Sequence, residues 1–445
     1  MMPRVSVFGL GKLGAPMLAV FASKGFEVIG VDKNERFVDL INQGISPVEE
    51  PQLQELISVN SERIEATIDT RAAVLDSDIS FIIVPTPSGV DGLFCNDFVL
   101  AAIEEIGSAL RAKDSYHLVV VTSTVMPGST GGEIREKLEA ASGRLVGDGI
   151  GLCYNPEFIA LGSVVRDMLR PDMILIGESD HKAGAMLAEL YRSTTESNPE
   201  FHRMNFVNAE LCKISVNTFV TTKISYANMI AEFCERLDGA DVDTVTHALG
   251  ADTRIGKKYL KGAVAYGGPC FPRDNRAFTA LGEKLGANTA LAEATDKINS
   301  YQTERLLAQI LLALDSRSDR VSILGLSYKP NTPVTECSQG LELVRRLSKL
   351  NVNVSVSDPV ALQNADTILP NGVQAHATIK ETICGSAVVV ICTAWKDYAS
   401  LPLLITELAP SDRPRFVIDP WRCTGVAQQI INSSDYEAAK PIETA

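Results

Sequence analysis

The chain has 445 residues, with 41 Lys or Arg against 55 Asp or Glu, a net charge of −14; 45% of residues are hydrophobic and 22% charged. At roughly 150 residues per domain that length allows two or three domains with cores of their own, which excludes a disulfide-stapled miniprotein, a fibrous repeat and wholesale disorder. The acidic surplus argues against a nucleic-acid partner or an anionic membrane, yet leaves room for a local basic site that takes one phosphorylated ligand.

Residues 5–8, Val-Ser-Val-Phe, form a short apolar run of the buried-strand type and lead into Gly9-Leu10-Gly11-Lys12-Leu13-Gly14, then a helix-compatible stretch to Ser23. A second strand is expected over 27–31, ending at Asp32, 18 positions beyond Gly14. Strand, G-x-G-x-x-G, helix and acid in this order are the dinucleotide-binding fingerprint. Gly9 would make the tight turn, Gly11 would let backbone N–H groups approach a pyrophosphate, and Gly14 would let helix and strand pack closely. Asp32 would accept hydrogen bonds from a ribose 2′-hydroxyl and repel a 2′-phosphate, which favours NAD over NADP, with Arg36 close by as the one reservation. Nearly all-apolar runs at 79–84 and 118–121 read as parallel strands buried on both faces. Ligands bind beyond the carboxyl ends of such strands, so Thr86, Ser123 and Thr124 are placed to meet cofactor or substrate; for Ser123, capping the next helix is an equal alternative.

A stretch without Gly or Pro from 208 to about 237 predicts a helix roughly 45 Å long, more than one domain needs. It is expected to link domains and to pack against a second subunit. Glu210, Lys213, Asn217 and Thr221 recur on one of its faces, a polar stripe that demands either a satisfied structural network or an active site. The second half repeats the first, with strands expected at 321–324, 352–356, 387–392 and 416–418, a helix at 339–350 and Asp358 at a strand end, but no G-x-G-x-x-G. The fold class is therefore α/β, two doubly wound parallel sheets of dinucleotide-fold type joined by a long central helix. The last 15 or so residues are expected to fray.

The nine cysteines form no C-x-x-C pair, which supports neither a disulfide framework nor a metal site. None of the five histidines falls in a ligand spacing. No leader and no apolar stretch of about 18 residues is read, so a cytoplasmic protein is expected. Cys270 differs from the other thiols. It lies in Tyr266-Gly267-Gly268-Pro269-Cys270-Phe271-Pro272-Arg273-Asp274, a stiff loop with charge nearby, and it reads either as a buried small hydrophobe or as a nucleophile. Together with the fingerprint and the polar helix face, the nucleophile is favoured.

Eight ordered motifs carry a resemblance over nearly the whole chain: GLGKLG with Asp32, VPTPS at 84–88, STVMPGST at 123–130, YNPEF at 154–158, ELCKISVNTF at 210–219, GADV at 239–242, TRIGKKYLKGAVAYGGPCFPRD at 253–274 and LGLSYKPNT at 324–332. This set resembles the UDP-glucose/GDP-mannose dehydrogenase family. The resemblance implies an NAD domain at 1–205, a central dimerisation and active-site segment at 206–300 and a nucleotide-sugar domain at 301–445. It also implies four-electron oxidation of a sugar C6 alcohol to the carboxylate through a Cys270 thiohemiacetal and thioester. Gly9, Gly11, Leu13, Gly14, Asp32, Arg36, Thr86, Ser123 and Thr124 would then hold the cofactor. Lys213 and Asn217 would stabilise an oxyanion, while Thr124, Glu157 and Asp274 would handle water and protons, with Glu157 as base for thioester hydrolysis. Arg254, Tyr259, Lys261, Gly267, Lys329 and Arg422 would reach the nucleotide sugar, joined there by Glu157, Lys213 and Asn217.

Two positions depart from the family pattern. Leu161 stands where many members carry an acid, and Glu336 where the loop K-P-x-T-x-D-x-R-E-S has its arginine. UDP-glucose is the first expectation for the substrate, with a UDP-N-acetylhexosamine or GDP-mannose as the alternative and a non-catalytic nucleotide-sugar-binding dimer as the remote one.

Overall fold

The computed structural model describes residues 2–425 and 430–432. The tail expected to fray lies outside the described residues, apart from the short strand at 430–432. Two compact units divide the chain, 1–215 and 216–445. The division falls inside the helix Phe206–Arg236, two residues longer at its N-terminal end than the sequence suggested and one shorter at its C-terminal end.

The first unit is an eight-stranded sheet: β1 (Val5–Phe8), β2 (Val28–Val31), β3 (Ile64–Thr67), β4 (Ile79–Ile82), β5 (His117–Val121), β6 (Ile150–Tyr154), β7 (Met173–Glu178) and β8 (Glu200–Met204), in the order β3-β2-β1-β4-β5-β6-β7-β8. Successive residues of the central strands feed opposite faces. Leu118 and Val120 enter one apolar cluster with Val5, Val7 and Phe81, while Val119 and Val121 enter the other with Phe8 and Ile82. Each such fully buried side chain contributes about 1.5–3 kcal/mol, and helices cover both faces, as parallel strands require. The sheet is not purely parallel, because β6 and β7 pair antiparallel. The strands that the sequence reading passed over include β3, where every second side chain is less buried, and β8, where none is fully buried. Neither gives the continuous apolar run that marks a central strand.

The second unit continues the long helix, adds the helices Val242–Ala251, Phe271–Leu285 and Ala290–Leu312, and then builds a six-stranded sheet. Its strands are β9 (Arg320–Leu324), β10 (Asn353–Ser357), β11 (Gln374–Ala375), β12 (Val388–Ile391), β13 (Phe416–Ile418) and β14 (Ile430–Asn432), in the order β11-β10-β9-β12-β13-β14. All neighbours run parallel except β13 and β14. In both sheets the first strand lies beside the switch in strand order, where open α/β sheets bind ligands.

Candidate active site

In the first unit the glycine-rich turn follows β1. Gly9 has φ +98°, and a Cβ there would lie 2.5 Å from the Ile83 carbonyl oxygen; a Cβ on Gly14 would lie 1.7 Å from the Gly9 oxygen. Both positions therefore exclude a side chain. Gly11 is different, since a Cβ there would meet nothing within 4 Å. The space beside its backbone is what a pyrophosphate at the start of the helix Gly14–Ser23 needs, so the residues present fit NAD. Leu13 precedes that helix as its N-cap. Asp32, at the end of β2, accepts from the Leu10 N–H at 2.6 Å and from the Asn34 N–H at 2.8 Å. It thus braces the turn, and each oxygen keeps a further lone pair for a ribose hydroxyl. Arg36 is exposed in the first turn of the next helix, Glu35–Asn42.

The hydroxyls beyond β4 and β5 are more committed than their positions suggested. Ser123 Oγ accepts from the Val84 N–H at 2.9 Å and donates to the Val84 carbonyl at 2.7 Å, so it latches the two strand ends together and caps no helix. Thr86 Oγ1 donates to the Thr124 carbonyl at 2.7 Å. Thr124 itself is half-buried. Glu210, first of the polar stripe, accepts from the backbone N–H groups of Gly128 and Thr130 at 2.6 and 2.7 Å, and burial raises its carboxyl above the ordinary range. Lys213, one turn on, is buried and donates from Nζ to the Glu157 carbonyl at 2.6 Å, with the Phe158 ring 4.7 Å away. Glu157 follows β6, and burial pushes its carboxyl up to about 7. Leu161 packs against the apolar cluster on one face of the sheet, where a carboxylate would be out of place.

The second unit holds the thiol. Cys270 is exposed and occupies the N-cap of the helix Phe271–Leu285, the end at which aligned peptide dipoles favour a negative group. The reading of Cys270 as a buried hydrophobe is therefore set aside. One turn on, Asp274 is 1% exposed and accepts from Asn217 Nδ2 at 2.6 Å and from Arg273 Nε at 2.9 Å. The stripe ends at Thr221, whose hydroxyl donates to the Thr218 carbonyl at 2.8 Å. All four stripe residues are thus hydrogen-bonded.

The loop before Cys270 is held by side chains that sequence reasoning did not single out. Asn228 accepts from the Ala263 N–H and donates to the Val264 carbonyl, and Asn299 does the same with both backbone groups of Tyr266. Asparagine offers one donor and one acceptor side by side, so it can pair with a backbone as a strand would. The loop also runs against 334–338: the Gly268 N–H donates to the Glu336 carbonyl at 3.0 Å, and a Cβ on Gly267 would lie 2.1 Å from the Cys337 oxygen. Gly267 is thus a packing residue, and Glu336 meets the loop through its backbone while its side chain is exposed.

The remaining sequence candidates are scattered over this unit. Arg254 pairs with Asp252 at 2.6 Å on the surface. Tyr259 has φ +63° and stands edge-on to Phe271, with ring centroids 6.1 Å apart. Lys261 is exposed and Lys329 half-buried. Arg422 is occupied by Asp243, at 2.6 and 3.0 Å, and by the Gly262 carbonyl at 2.8 Å. It ties the loop after β13 to the helix Val242–Ala251.

The second sheet also corrects an expectation. It lacks the contiguous fingerprint, yet it keeps the turn. Gly325 has φ +101°, a Cβ on Gly340 would lie 2.1 Å from the Gly325 oxygen, and Asp358 accepts from the Leu326 N–H at 2.7 Å. The Gly340 and Asp358 contacts match those of Gly14 and Asp32, with ten more residues between the glycines. Asp358 is more heavily used than Asp32, accepting also from the N–H groups of Ser327, Val360 and Ala361.

A doubly wound sheet with an intact dinucleotide turn and an acid at the second strand defines an NAD-dependent oxidoreductase. Residues 3–195 match the NAD binding domain of the UDP-glucose/GDP-mannose dehydrogenase family, 207–301 its central domain and 322–425 its UDP binding domain, and the chain belongs to that family. It is 34% identical to a UDP-glucose 6-dehydrogenase of Haloferax volcanii, over 94% of this chain and 96% of the relative. It is 35% identical to a GDP-mannose 6-dehydrogenase of Pseudomonas aeruginosa, over 77% of this chain and 78% of the relative. A solved UDP-glucose dehydrogenase from Pyrobaculum islandicum superimposes with a TM-score of 0.85 at 34% identity, covering 94% of each chain. No helix among the described residues is long and apolar enough to cross a membrane.

Proposed function

We propose that this chain is a UDP-glucose 6-dehydrogenase, oxidising the sugar C6 alcohol to the carboxylate with two NAD per turnover. The observation that carries the reading is the exposed Cys270 thiol at a helix N-terminus, one turn before a buried Asp274 that Asn217 and Arg273 hold. Gly9, Gly11, Gly14 and Asp32 would hold NAD, which supplies the acceptor for each hydride leaving C6. Cys270 adds as thiolate to the C6 aldehyde, and the resulting thiohemiacetal keeps the intermediate attached until the second oxidation leaves a thioester. Water then displaces the thiol, giving the carboxylate and a proton that Glu157 takes as base. Lys213 and Asn217, one turn apart on the long helix, are the donors for the developing oxyanion, and the role of Asp274 is to exchange a proton with the thiol or the substrate oxygen. Arg254, Tyr259, Lys261 and Lys329 are the candidates for contact with the nucleotide sugar. Arg422 would serve them by fixing its loop, given its commitment to Asp243.

The choice of UDP-glucose is supported by relatives of that name that match 94% and 91% of this chain, against 77% for the GDP-mannose enzyme. The second reading, another nucleotide sugar, is favoured by Leu161 and Glu336, which change the side chains that the family pattern places around its ligands. We assign the segments 1–205, 206–300 and 301–445 to cofactor binding, dimerisation with active-site residues, and nucleotide binding. The proposed assembly is a homodimer formed through the long helix. Nine cysteines, none of them in a disulfide, support a reducing, cytoplasmic setting.

The test is stoichiometry. UDP-glucose consumed with two NADH formed per sugar, and a sugar adduct on Cys270 detected by mass spectrometry in a quenched reaction, are the expected results. One NADH per sugar, or full activity in Cys270→Ala, would overturn the mechanism, and faster turnover of another nucleotide sugar from a panel would select the second reading.

A further inference from the structure

Behind Glu157 lies a chain of hydrogen bonds whose directions are all fixed from one end. It begins at the backbone carbonyl of Leu175 in β7, which can only accept. That carbonyl receives a hydrogen bond from Asn155 Nδ2 at 2.9 Å, so the amide of Asn155 has one permitted orientation. Asn155 Oδ1 then faces Tyr191 and can only accept, and the Tyr191 hydroxyl donates to it at 2.5 Å. A phenol has one proton. The hydroxyl is within donating distance of Glu157 Oε1 as well, at 3.2 Å, but with its one proton committed to the shorter Asn155 contact its oxygen is left facing Glu157 as an acceptor. Two acceptors in contact need a proton between them, and Glu157 is the group able to supply it.

We infer that Tyr191 is a positioning residue that holds Glu157 as the neutral acid at rest, its proton on Oε1 pointing at the Tyr191 oxygen. Ionising Glu157 leaves two arrangements, both unfavourable. In one the Tyr191 oxygen and a carboxylate oxygen face each other without a proton. In the other the phenol turns to the carboxylate and strands Asn155 Oδ1, which is buried. The titratable groups that face Glu157 are Tyr191, from the helix His181–Thr194, and Lys213, from the long helix. The ammonium of Lys213 favours the carboxylate, but it is drawn to the Glu157 backbone carbonyl. Burial outweighs that ammonium and any hydrogen bond donated by Tyr191, both of which lower the carboxyl, and a group near neutrality is the result. With the phenol proton held by Asn155, the lowering by Tyr191 is withdrawn.

This deepens the proposed function, and its catalytic meaning rests on that reading: a base for the water step is then loaded with a proton between turnovers and is released by a modest rise in pH. The proton placement itself can be tested without turnover. Infrared difference spectra across pH carry a protonated-carboxyl band, assigned to Glu157 by its loss in Glu157→Gln. In the wild-type protein that band is expected to titrate near 7, and in Tyr191→Phe its midpoint is expected to fall by about one pH unit. Absence of such a band from the wild type near neutrality overturns the inference, and so does a midpoint that stays or rises in Tyr191→Phe, since a tyrosine donating to the carboxylate would shift it that way. Decay of the Cys270 acyl-enzyme is a separate readout. If Glu157→Gln leaves that decay unchanged, the assignment of Glu157 as the base fails, whereas the infrared midpoint alone decides where the proton sits.

Discussion

His117 opens β5 with no exposed surface, and its ring is spoken for on both sides. Nε2 is 2.8 Å from Ser80 Oγ, while Nδ1 lies 3.2 Å from Lys113 Nζ and 3.1 Å from the Ser77 carbonyl. Burial first, and the Lys113 charge second, push its pKa from 6.5 down to about 3. Between those values the unfolded chain binds a proton that the folded one refuses. His117 therefore contributes a loss of stability as pH falls from 6.5 towards 3, with a slope of up to about 1.4 kcal/mol per pH unit. Glu157 acts in the opposite sense, its raised pKa making the folded form bind the extra proton between about 4.5 and 7. Urea unfolding of the wild type and of His117→Gln at a series of pH values separates the two, and the variant is expected to lose the histidine's share of the acid slope. Equal slopes in the two proteins would contradict this account. His117 precedes an apolar run in the sequence, and no catalytic role is assigned to it. Lys113 lies four residues away, but Ser80 and Ser77 are 37 and 40 residues away in the chain and have no local signature.

At the scale of elements, the long helix Phe206–Arg236 was the most legible piece, because 31 residues without Gly or Pro leave little else to form. The sequence also showed its polar stripe, and each stripe residue found a partner. What it did not show is the opposite edge of the helix. Phe219, Tyr226 and Phe233 are 65, 45 and 59% exposed and recur every seven residues. A seven-residue spacing keeps side chains nearly in line along a helix, and aromatic residues in such a line are the usual seam between packed helices. If they form the dimer contact, replacing Phe219 and Phe233 together by Asp buries two charges in an apolar seam. Light scattering should then shift from a dimer mass to a monomer mass, while far-ultraviolet circular dichroism stays that of the wild type. A dimer that persists would move the interface elsewhere.

Across the whole molecule, two sheets use one turn with different loops. Gly9 and Gly14 stand five positions apart and Gly325 and Gly340 fifteen, yet each pair makes the same close contact, and Asp32 and Asp358 brace the turn that follows. The first turn leaves open backbone at Gly11 for a pyrophosphate. The second has ten more residues between its two glycines. The two are expected to answer to different ligands. Gly14→Ala forces its Cβ onto the Gly9 carbonyl and should weaken NAD binding by at least about tenfold, leaving UDP binding as it was. Gly340→Ala should do the reverse. Calorimetric titration of each variant with each nucleotide checks both, and loss of NAD affinity in Gly340→Ala would contradict the division of labour.

The sequence by itself determined the class. A contiguous glycine fingerprint, buried central strands, one uninterrupted helix and a thiol among prolines and glycines are local patterns, and local patterns are dictated by backbone sterics and burial periodicity. The tertiary structure alone decided how each polar group is used. It gave Ser123 to a strand latch, Thr86 to a loop tie, Glu210 to the loop after β5, Arg422 to Asp243 and Asp358 to its own turn, and it set Tyr191 and Asn155 behind Glu157. A hydrogen bond needs its partner within about 3 Å, and in each of these cases that partner comes from a distant part of the chain or from a turn that only the folded backbone defines.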